Sequence, residues 1–405
     1  MEQRDYDVVV YGASGYVGRQ VVKYLAAPER APGLRWAIAG RSRGKLEAVK
    51  ASTAAGADVL VADSGDASTL DTLAARTAVV LNTVGPFARY GDPVVDACVR
   101  LRTHYVDITG ETPWIRTLID RYHARASADG TRIVPSCGFD SVPSDLGAYL
   151  VARHLQGSGG GCEQVKAFYS MMGGVNGGTL ASLMLISENP AQSKMMRDPF
   201  LLSPTAPPPS AASSGSRDPQ SPHYDTDAKA WVAPFLMGPI NTRIVRRSSA
   251  LFAAWNESYG ERFAYQEYMR FGEPFGFAQA LAVTAGSTLM TSALEFAAVR
   301  RAIEPMLPKP GTGPSEAAMQ NGWFRCDLVG RGAASATARA TIRDKGDPGN
   351  VATTKFVCES ALALALERDA LPGGSARGGV LTPATALGEV LVRRLRAAGM
   401  QLDVE

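Results

Sequence analysis

Short apolar runs alternate with helical patterns over the first 150 residues of the chain. Between these runs, hydrophobic residues recur every three to four positions, which is the period of a helix with one buried face. Runs that are apolar throughout are typical of strands buried on both sides of a sheet. The alternation therefore predicts an α/β fold, in which a parallel sheet carries helices on both faces. The predicted strands lie at 7–11, 34–39, 58–62, 78–84, 104–108 and 131–135.

The second half of the chain has a less regular pattern. Residues 163–172 predict a strand, and a glycine-rich loop then opens a helix with Thr179 and Ser182 in its first turns. The start of that helix suits an oxyanion or another anion, while its small residues equally suit close packing. Short strands and helices follow to the end of the chain, which predicts a second, α+β domain for substrate binding or dimerisation.

Two stretches interrupt this pattern. Residues 203–222 are rich in proline and serine, which predicts a flexible surface insert. Residues 274–294 carry no charged side chain over a length that approaches a membrane span. Their content of Ala, Gly, Ser and Thr favours a buried helix at a domain or subunit interface. The alternative is a surface that meets a membrane or an apolar substrate.

A glycine-rich turn follows the first predicted strand. Gly12, Gly15 and Gly18 are spaced as GxxGxxG where that strand leads into a helix. The first glycine permits the turn, the second lets a pyrophosphate approach the backbone, and the third allows close helix packing. In this position the motif predicts a dinucleotide-binding domain built on a Rossmann-type parallel sheet.

These patterns divide the chain into three parts. We expect the dinucleotide-binding domain at 1–150 and the substrate and interface domain at 151–375. The remaining residues, 376–405, predict a C-terminal helix that packs back on the first domain. In that helix, Thr382 before Pro383 has the pattern of an N-cap followed by proline at the first helical position.

The end of the second strand distinguishes NADP from NAD. Proteins that bind NAD usually carry an acidic residue there for the ribose hydroxyls. This chain instead has Arg41, Ser42 and Arg43. Because a guanidinium and a hydroxyl suit a 2′-phosphate, the sequence predicts NADP(H) as cofactor. The alternative is that these arginines only form a solvated helix start.

The carboxyl ends of the other parallel strands are expected to line the same cofactor crevice. Asp63 ends the third strand near the adenine, residues 82–87 (NTVGPF) end the fourth, residues 107–111 (DITGE) end the fifth, and residues 136–145 (SCGFDSVPSD) follow the sixth. The predicted cofactor-binding residues are Gly12, Ser14, Gly15, Tyr16, Val17, Gly18, Arg41, Ser42, Asp63, Thr83, Val84, Gly85, Pro86, Cys137 and Gly138.

The pair Cys137 and Asp140 raises the question of nucleophilic catalysis. A catalytic thiol needs a basic partner, and none of the four histidines lies in a motif directed at this loop. Because hydride transfer needs no thiol, we interpret Cys137 as a small residue that packs against the nicotinamide, and residues 141–145 as a helix start. Zinc and other metals are not expected here. Candidate proton donors are Tyr90, Asp140, Tyr169 and ordered water.

Two further features bear on the substrate. Backbone N–H groups at 85–87 or at 177–179 are candidates to stabilise a developing oxyanion. Arg243, Arg246 and Arg247 form a basic cluster, which we interpret as the charged edge of a strand. The functional alternative for this cluster is a dock for a phosphate or for an acidic carrier.

Composition narrows the class of protein. The chain has 405 residues, of which 20% are charged, and a net charge of +3, so it offers no argument for nucleic-acid binding. Five dispersed cysteines without a CxxC pair favour neither zinc nor a disulfide framework. The charged N-terminus shows no secretory signal, so we expect a cytoplasmic protein, with membrane association through 274–294 as the open alternative.

Motifs along almost the whole chain resemble those of the saccharopine dehydrogenase-like oxidoreductases. They are most similar to the trans-acting enoyl reductases of mycobacterial phthiocerol and phenolphthiocerol lipid synthesis. The resemblance implies NADP(H), a Rossmann domain, and reduction of a carbon–carbon double bond in a carrier- or CoA-bound polyketide or lipid intermediate. The matching motifs are GASGYVG, AGRS, TVGPFARYG, DITGE, IVPSCGFDSVPSDL, NGGTLAS, NTRIVRRS, PKPGTGPS, GDPG and GVLTPA.

Two other functions stay open at this point. A saccharopine-type reductase or dehydrogenase, acting on an imine derived from an amino acid, would need basic residues for substrate carboxylates, and Arg89, Arg243 and Arg246 are the candidates. A non-catalytic, lipid-associated protein would retain the nucleotide fold and use residues 274–294. The intact glycine turn favours an enzyme. We also expect a homodimer and a small lipid or polyketide substrate carried on an acyl carrier protein.

Overall fold

The fold is described from a computed structural model. The structure describes residues 4–27, 29–53, 55–174, 177–204, 217–303, 305 and 311–405. Most of the Pro/Ser-rich insert predicted at 203–222 therefore lies outside the described residues, as do residues 306–310 of the PKPGTGPS motif. The side chain of Thr179 also lies outside the description.

The strands form two sheets. They are β1 (Tyr6–Tyr11), β2 (Trp36–Gly40), β3 (Asp58–Val61), β4 (Thr77–Asn82), β5 (His104–Asp107), β6 (Arg132–Val134), β7 (Cys162–Met172), β8 (His223–Asp225), β9 (Ala230–Pro234), β10 (Ala264–Phe271), β11 (Trp323–Gly332), β12 (Thr337–Lys345), β13 (Gly379–Val380) and β14 (Gln401–Val404).

Helices cover the sheets and connect them. They are α1 (Tyr16–Leu25), α2 (Arg43–Thr53), α3 (Ala67–Arg76), α4 (Phe87–Tyr90), α5 (Asp92–Arg100), α6 (Thr112–Ala128), α7 (Val142–Gly157), α8 (Gly177–Glu188), α9 (Pro190–Met195), α10 (Gly238–Ala254), α11 (Gly276–Leu294), α12 (Ala297–Ile303), α13 (Glu316–Gln320), α14 (Thr353–Leu366) and α15 (Pro383–Ala397).

The first sheet is parallel throughout, with the strand order β13-β6-β5-β4-β1-β2-β3. Its first six strands lie where the apolar runs predict them, which confirms the predicted α/β fold. Strand β1 has β4 on one side and β2 on the other, so the chain order reverses there and a crevice opens at the carboxyl ends of these strands. The edge strand β13 comes from the C-terminal part of the chain, where Val380 pairs with Ile133.

The second sheet has the order β14-β12-β11-β7-β10-β9-β8. It is mixed, since β7 and β10 run parallel while the other neighbouring strands run antiparallel. One face is apolar and the other polar: along β11, Phe324, Cys326 and Leu328 are buried, whereas Arg325 between them is exposed. This alternation is the period of a strand with one face on a core.

One continuous apolar core joins the two sheets. Helix α7 follows β6 and packs on β7, β11 and β12, while α14 packs on β1, β4 and β5. Leu146 of α7 and Phe356 of α14 are fully buried in the same cluster. The Thr382 cap is confirmed, because its hydroxyl accepts the Thr385 N–H while the Thr385 hydroxyl accepts the Thr382 N–H. The core therefore fixes the second sheet against the carboxyl edge of the first.

The basic cluster of residues 241–248 lies in helix α10, so its interpretation as a strand edge is wrong. Pro239 stands in the first turn of the helix, and Ile240, Ile244 and Leu251 are buried along one side, which is a helical period. A cluster of arginines does not by itself distinguish a helix from a strand. The flanking apolar residues Ile240, Ile244 and Leu251 do, because they recur at helical spacing.

The three arginines of α10 are buried and bind main-chain carbonyls. Arg243 donates to the carbonyl oxygen of Met196 at 2.8 Å and pairs with Asp218. Arg247 donates to the carbonyl oxygens of Leu202 and Val380, at 2.6 Å each. Arg246 donates to the Pro199 carbonyl oxygen at 3.0 Å. These guanidinium groups anchor residues 196–202 and are not presented to a phosphate or an acidic carrier.

Residues 276–294 form the helix α11, and most of it is exposed. Only Gly276, Ala280 and Thr284 of this helix are buried within the described chain. Among the residues that the structure describes, it is the one helix long and apolar enough to cross a membrane. Burial against the described part of the chain therefore does not account for its apolar composition. Contact with a second molecule or with lipid stays a prediction.

Candidate cofactor and substrate site

The glycine turn brings the start of α1 close to the end of β4. Gly12 has a φ of +90°, and a Cβ atom on it would lie 2.6 Å from Val84 Cγ2. A Cβ atom on Gly18 would lie 2.2 Å from the carbonyl oxygen of Gly12. Both positions therefore require glycine. Gly15 precedes α1 as its N-cap, with no side-chain cap and no acidic residue in the first turn. This helix start thus fits a pyrophosphate, because its N–H groups meet no competing carboxylate.

A segment of the second half of the chain packs on this turn. A Cβ atom on Gly313 would lie 2.5 Å from ring atoms of Tyr16, so the backbone of Gly313 is in contact with that ring. The Tyr16 hydroxyl donates to the Pro314 carbonyl oxygen at 2.5 Å. Lys23 of α1 pairs with Glu316 at 2.9 Å. The side chain of Tyr16 thereby joins the glycine turn to residues 313–316.

The predicted NADP-selective residues lie at the end of β2. Arg41 and Ser42 are exposed, between β2 and the start of α2. Asp63 lies just beyond the end of the neighbouring strand β3, where its carboxylate accepts the Gly65 N–H at 2.9 Å and so shapes its own loop. Arg43 is set back on α2 and lies 3.7 Å from Glu47. Arg41 is thus the guanidinium at the strand end.

A chain of buried hydrogen bonds connects the ends of β4, β5 and β6. Asn82 accepts the Val84 N–H at 2.9 Å and donates to the Tyr105 hydroxyl at 3.0 Å. Tyr105 donates to Asp107 at 2.9 Å, and Asp107 also accepts the Ser136 N–H at 3.0 Å. Burial raises the pKa of Asp107 to about 7. Asn82 and Asp107 lie in the strand-end segments NTVGPF and DITGE, which were expected to line the crevice, but neither they nor Tyr105 was named as a site residue.

The loop at the end of β4 rests on a buried carboxylate. Glu111 accepts the N–H groups of Phe87 at 2.8 Å and Ala88 at 2.7 Å, which are the first two N–H groups of α4. The Ser182 hydroxyl of α8 donates to the same carboxylate at 2.7 Å. Thr83 fixes the other side of the loop by donating to the Tyr11 carbonyl oxygen at 3.1 Å. Glu111 was missed because nothing in its local sequence points to α8.

Two of the predicted oxyanion donors are occupied by other groups. Pro86 has no N–H group, and the N–H of Phe87 is bound by Glu111. The N–H of Gly177 donates to the Thr312 carbonyl oxygen at 3.2 Å. From 85–87, the N–H of Gly85 has no hydrogen-bond partner among the described residues and is left for a substrate oxygen. Gly85 is exposed at the crevice, as that role requires.

The loop after β6 holds its cysteine in the core. Cys137 has no exposed surface, and its thiol donates to the Val134 carbonyl oxygen at 3.3 Å. Burial raises the pKa of this thiol, which disfavours the nucleophilic thiolate. Gly138 is buried as well and packs on Thr353, so neither of these two predicted cofactor-binding residues has exposed surface, and Asp140 is the partly exposed residue of this loop. Ser136, at a φ of +62°, turns the chain and donates to the Thr109 carbonyl oxygen at 2.8 Å.

Asp140 has the environment of an acid that can hold a proton near neutral pH. Its side chain is half-buried, and burial raises its pKa to about 6. One carboxylate oxygen lies 3.9 Å from the position of a Cβ atom on Gly110, in the loop after β5. Within the described part of the chain, no hydrogen bond to its carboxylate is present. Asp140 thus lies at the carboxyl edge of the parallel sheet.

The two tyrosines proposed as proton donors differ in their surroundings. Tyr169 is fully buried, and its hydroxyl bonds the Ser144 hydroxyl at 2.6 Å. Burial raises its pKa well above the ordinary value for tyrosine. Tyr90 ends α4 and is partly exposed, close to the loop that Glu111 holds. The structure thus brings Tyr90 and Asp140 to the sheet edge, while Tyr169 faces the core of the second sheet.

The last acid of the SCGFDSVPSD motif caps another helix. Asp145 is fully buried, accepts the Ala384 N–H at 2.7 Å at the start of α15, and accepts the Ser248 hydroxyl at 2.5 Å. Ser141 precedes α7 without a side-chain cap. The expectation that residues 141–145 serve their own helix start is therefore wrong for Asp145. This residue fastens α7 to α10 and α15.

Comparisons with known proteins agree with this geometry. The family model described as the saccharopine dehydrogenase NADP binding domain matches residues 8–134, which confirms the prediction of NADP(H). Rv2449c of Mycobacterium tuberculosis, provisionally named a trans-acting enoyl reductase, is 41% identical over 99% of this chain and 97% of its own. Trans-acting enoyl reductases of Mycobacterium ulcerans and Mycobacterium leprae are each 37% identical, over 98% of this chain and 97% of theirs.

A solved structure shares the whole architecture. Apo saccharopine dehydrogenase from Saccharomyces cerevisiae superposes with a TM-score of 0.54, over 98% of this chain and 99% of its own. Its sequence identity is 13%, so this likeness shows the fold alone. The full-length identity to the mycobacterial proteins shows the family. The chain therefore belongs to the trans-acting enoyl reductases, within the saccharopine dehydrogenase-like proteins, and is an NADP-dependent oxidoreductase.

Proposed function

We propose that the protein reduces a carbon–carbon double bond in a carrier- or CoA-bound polyketide or lipid intermediate, acting in trans. One observation carries the proposal: relatives named trans-acting enoyl reductases align with this chain from end to end. The site is compatible with it, because the glycine turn, the Glu111 loop and Asp140 share one edge of the parallel sheet.

Reduction of an α,β-unsaturated thioester needs a hydride at the β-carbon and a proton at the α-carbon. Bound NADPH supplies the hydride. Asp140 supplies the proton, because its raised pKa of about 6 leaves part of the population protonated near neutral pH. The Gly85 N–H is the donor for the thioester carbonyl oxygen, where negative charge develops during the reaction. Phe139 and Val142, on either side of Asp140 in the chain, are buried and support its position.

The alternative substrate, an imine derived from an amino acid, receives less support. Its carboxylates would need free arginines, and Arg243 and Arg246 are buried and bonded to main-chain carbonyls. Of the three candidates, only Arg89 is exposed. No observation favours a protein that has lost catalysis, since the glycine turn is intact.

NADPH oxidation measured with matched substrates tests the proposal. The panel contains an enoyl-CoA, the same enoyl group on an acyl carrier protein, a saccharopine-type imine, and no substrate. Turnover of the thioesters with NADPH is expected, and mass spectrometry should show a product heavier by two hydrogens. Turnover of the imine alone would overturn the proposal, and so would tight NADPH binding without turnover of any thioester.

We further propose that the protein is cytoplasmic and makes peripheral contact with a membrane through α11. Phe277, Leu281 and Leu289 are between 49% and 72% exposed on this helix. Its polar side chains are compatible with lipid, since the hydroxyls of Thr284 and Thr288 donate to carbonyls of the same helix, at 2.8 and 2.9 Å. Arg300 and Arg301 on the next helix suit anionic headgroups.

Vesicle cosedimentation tests the membrane contact. The alternative outcome is that the same exposed face of α11 forms a dimer interface. The wild type should sediment with vesicles containing anionic lipid, whereas Leu289→Ser should remain in the supernatant. A homodimer, measured by light scattering, that dissociates in Leu289→Ser while vesicle binding is absent would assign α11 to dimerisation instead.

A further inference from the structure

A surface groove lies between the Rossmann-type domain and the helices that follow β7. Its volume is about 460 Å³, and it is lined by Ala88, Arg89, Leu185, Glu188, Asn189, Pro190 and Gln192. One wall is the short helix α4, and the other is the end of α8 with the start of α9. The volume lies within the usual range for small-molecule sites, about 300–1,000 Å³.

The groove adjoins the proposed reaction site. Ala88, which lines it, donates its N–H to Glu111, and Ser182 of α8 bonds the same carboxylate. Both walls are therefore fixed by one buried side chain. Gly85, the proposed donor to the thioester oxygen, lies three residues before Ala88 in the loop that leads into this wall.

Arg89 gives the groove a free cation. Its side chain is exposed, and within the described residues it has neither a hydrogen bond nor an ion pair. The other polar side chains of the groove suit amides. The side-chain oxygen of Asn189 accepts hydrogen bonds from N–H groups at the start of α9, so its NH₂ group is left as a donor. Glu188 offers acceptors, Gln192 offers both kinds of group, and Leu185 provides apolar surface.

We propose that this groove binds a 4′-phosphopantetheine arm, the part that CoA and acyl carrier proteins have in common. The inference rests on the proposed function, because it names how the thioester is presented. The ligand has one phosphate, two amides and a short apolar chain ending in the thioester. Arg89 binds the phosphate, Glu188, Asn189 and Gln192 bind the amides, and the thioester then lies near Gly85 and Asp140. A guanidinium is well suited to a phosphate by charge and by its paired N–H donors.

Matched thioesters with and without the phosphate test this assignment. The same enoyl group is offered on phosphopantetheine and on N-acetylcysteamine, which lacks the phosphate and most of the arm. In Arg89→Ala, kcat/KM for the phosphopantetheine thioester should fall about tenfold or more, as expected for loss of one charge-assisted contact. The value for the N-acetylcysteamine thioester should stay within about twofold.

Arg125→Ala is the matched control, since Arg125 is another exposed arginine of the first domain, on α6, without a partner among the described residues. It should leave both substrates unchanged. Equal losses with both thioesters in Arg89→Ala, or no loss with either, would overturn the groove assignment while the reductase proposal stands.

Direct binding separates the two proposals if no thioester is reduced. Phosphopantetheine is then titrated calorimetrically into wild type and Arg89→Ala protein, each saturated with NADPH. Binding to the wild type that weakens about tenfold or more in the variant supports the groove even if the reductase proposal fails. No binding, or equal binding to both proteins, refutes it.

Discussion

The hydroxyl of Ser182 lies 2.7 Å from the carboxylate of Glu111, and this contact joins α8 to the loop that ends β4. The same carboxylate binds the first two N–H groups of α4. Glu111 is almost fully buried and, among the described residues, its partners are all hydrogen-bond donors without a charge. A buried carboxylate in such a position depends on each of its donors, because any donor removed leaves negative charge unpaired.

Ser182→Ala should separate cofactor binding from turnover. The loop at 85–88 keeps both N–H bonds to Glu111, so the Kd for NADPH should change by no more than about twofold. Helix α8 loses its hydrogen bond to Glu111. The kcat for the thioester should therefore fall about fivefold to twentyfold, as expected for the loss of one charge-assisted hydrogen bond.

The control for this variant is Ser187→Ala on the same helix. The Ser187 hydroxyl donates only to the Met184 carbonyl oxygen, at 2.8 Å. Its removal should leave kcat and KM unchanged. Equal kinetics of both variants would show that the Glu111–Ser182 contact has no role in turnover.

Gly18→Ala and Gly44→Ala should have opposite effects on stability. A Cβ atom on Gly18 would collide with the Gly12 carbonyl oxygen, whereas a Cβ atom on Gly44 in α2 meets no atom within 4 Å. We expect Gly18→Ala to lose about 1–3 kcal/mol of unfolding free energy and most NADPH binding. Gly44→Ala should gain about 0.5–1 kcal/mol with unchanged NADPH affinity. Denaturant unfolding and NADPH fluorescence measure both, and a Gly18→Ala protein with normal affinity would contradict the close-packing argument.

The first six strands of the parallel sheet could be predicted because their signals are local. Each is a mostly apolar run, and the glycine turn follows β1 directly. The end of the second strand likewise indicated NADP from Arg41 and Ser42 alone. These features need only the residue types and their order along the chain. The seventh strand, β13, was not predicted, because its partner β6 lies far away in the sequence.

Contacts between distant segments could not be predicted in the same way. Glu111 and Ser182 are 71 residues apart, and Asp145 caps a helix that starts 238 residues later, at Pro383. The arginines of α10 gave a misleading signal, because their charge suggested exposure. In the structure all three side chains are buried, and each donates to a main-chain carbonyl of residues 196–202. For α11, composition predicted burial, yet no described part of the chain covers most of it.

Arg41→Ala should reduce the preference for NADPH over NADH. Loss of a guanidinium beside the 2′-phosphate should raise the Kd for NADPH about tenfold to a hundredfold and leave that for NADH nearly unchanged. Arg43→Ala is the control, because Arg43 is directed toward Glu47 on α2. Fluorescence titration with both cofactors gives the ratio. A variant that weakens NADH as much as NADPH would show that Arg41 does not bind the 2′-phosphate.

Asp140 should impose a pH dependence on turnover. Its carboxyl is protonated below a pKa of about 6 and ionised above it, so the rate of the protonation step should fall as pH rises through that value. Asp140→Asn keeps the shape of the side chain but supplies no proton, so kcat should fall by about two orders of magnitude or more. The remaining activity should no longer decrease as pH rises through about 6. Thermal unfolding checks that the variant is folded. A variant with wild-type kcat would assign the proton to Tyr90 or to water.

Glu267 should make stability, rather than turnover, depend on pH. It is fully buried, accepts hydrogen bonds from Ser144 at 2.8 Å, Asn241 at 2.8 Å and Tyr265 at 3.0 Å, and burial raises its pKa to about 8. Because the folded state holds this proton more tightly than the unfolded chain, its stabilising contribution is complete below the unfolded pKa, about 4.3, and is lost as pH rises towards the folded value.

Thermal unfolding across this window measures the effect. The wild-type Tm should fall between about pH 5 and pH 8, and Glu267→Gln, which is neutral throughout, should remove a large part of that slope. Glu316→Gln is the control, because Glu316 is 78% exposed in its pair with Lys23 and should leave the slope as it is. Parallel pH profiles for the wild type and Glu267→Gln would show that Glu267 is ionised in the folded protein, held by its three donors against the cost of burial.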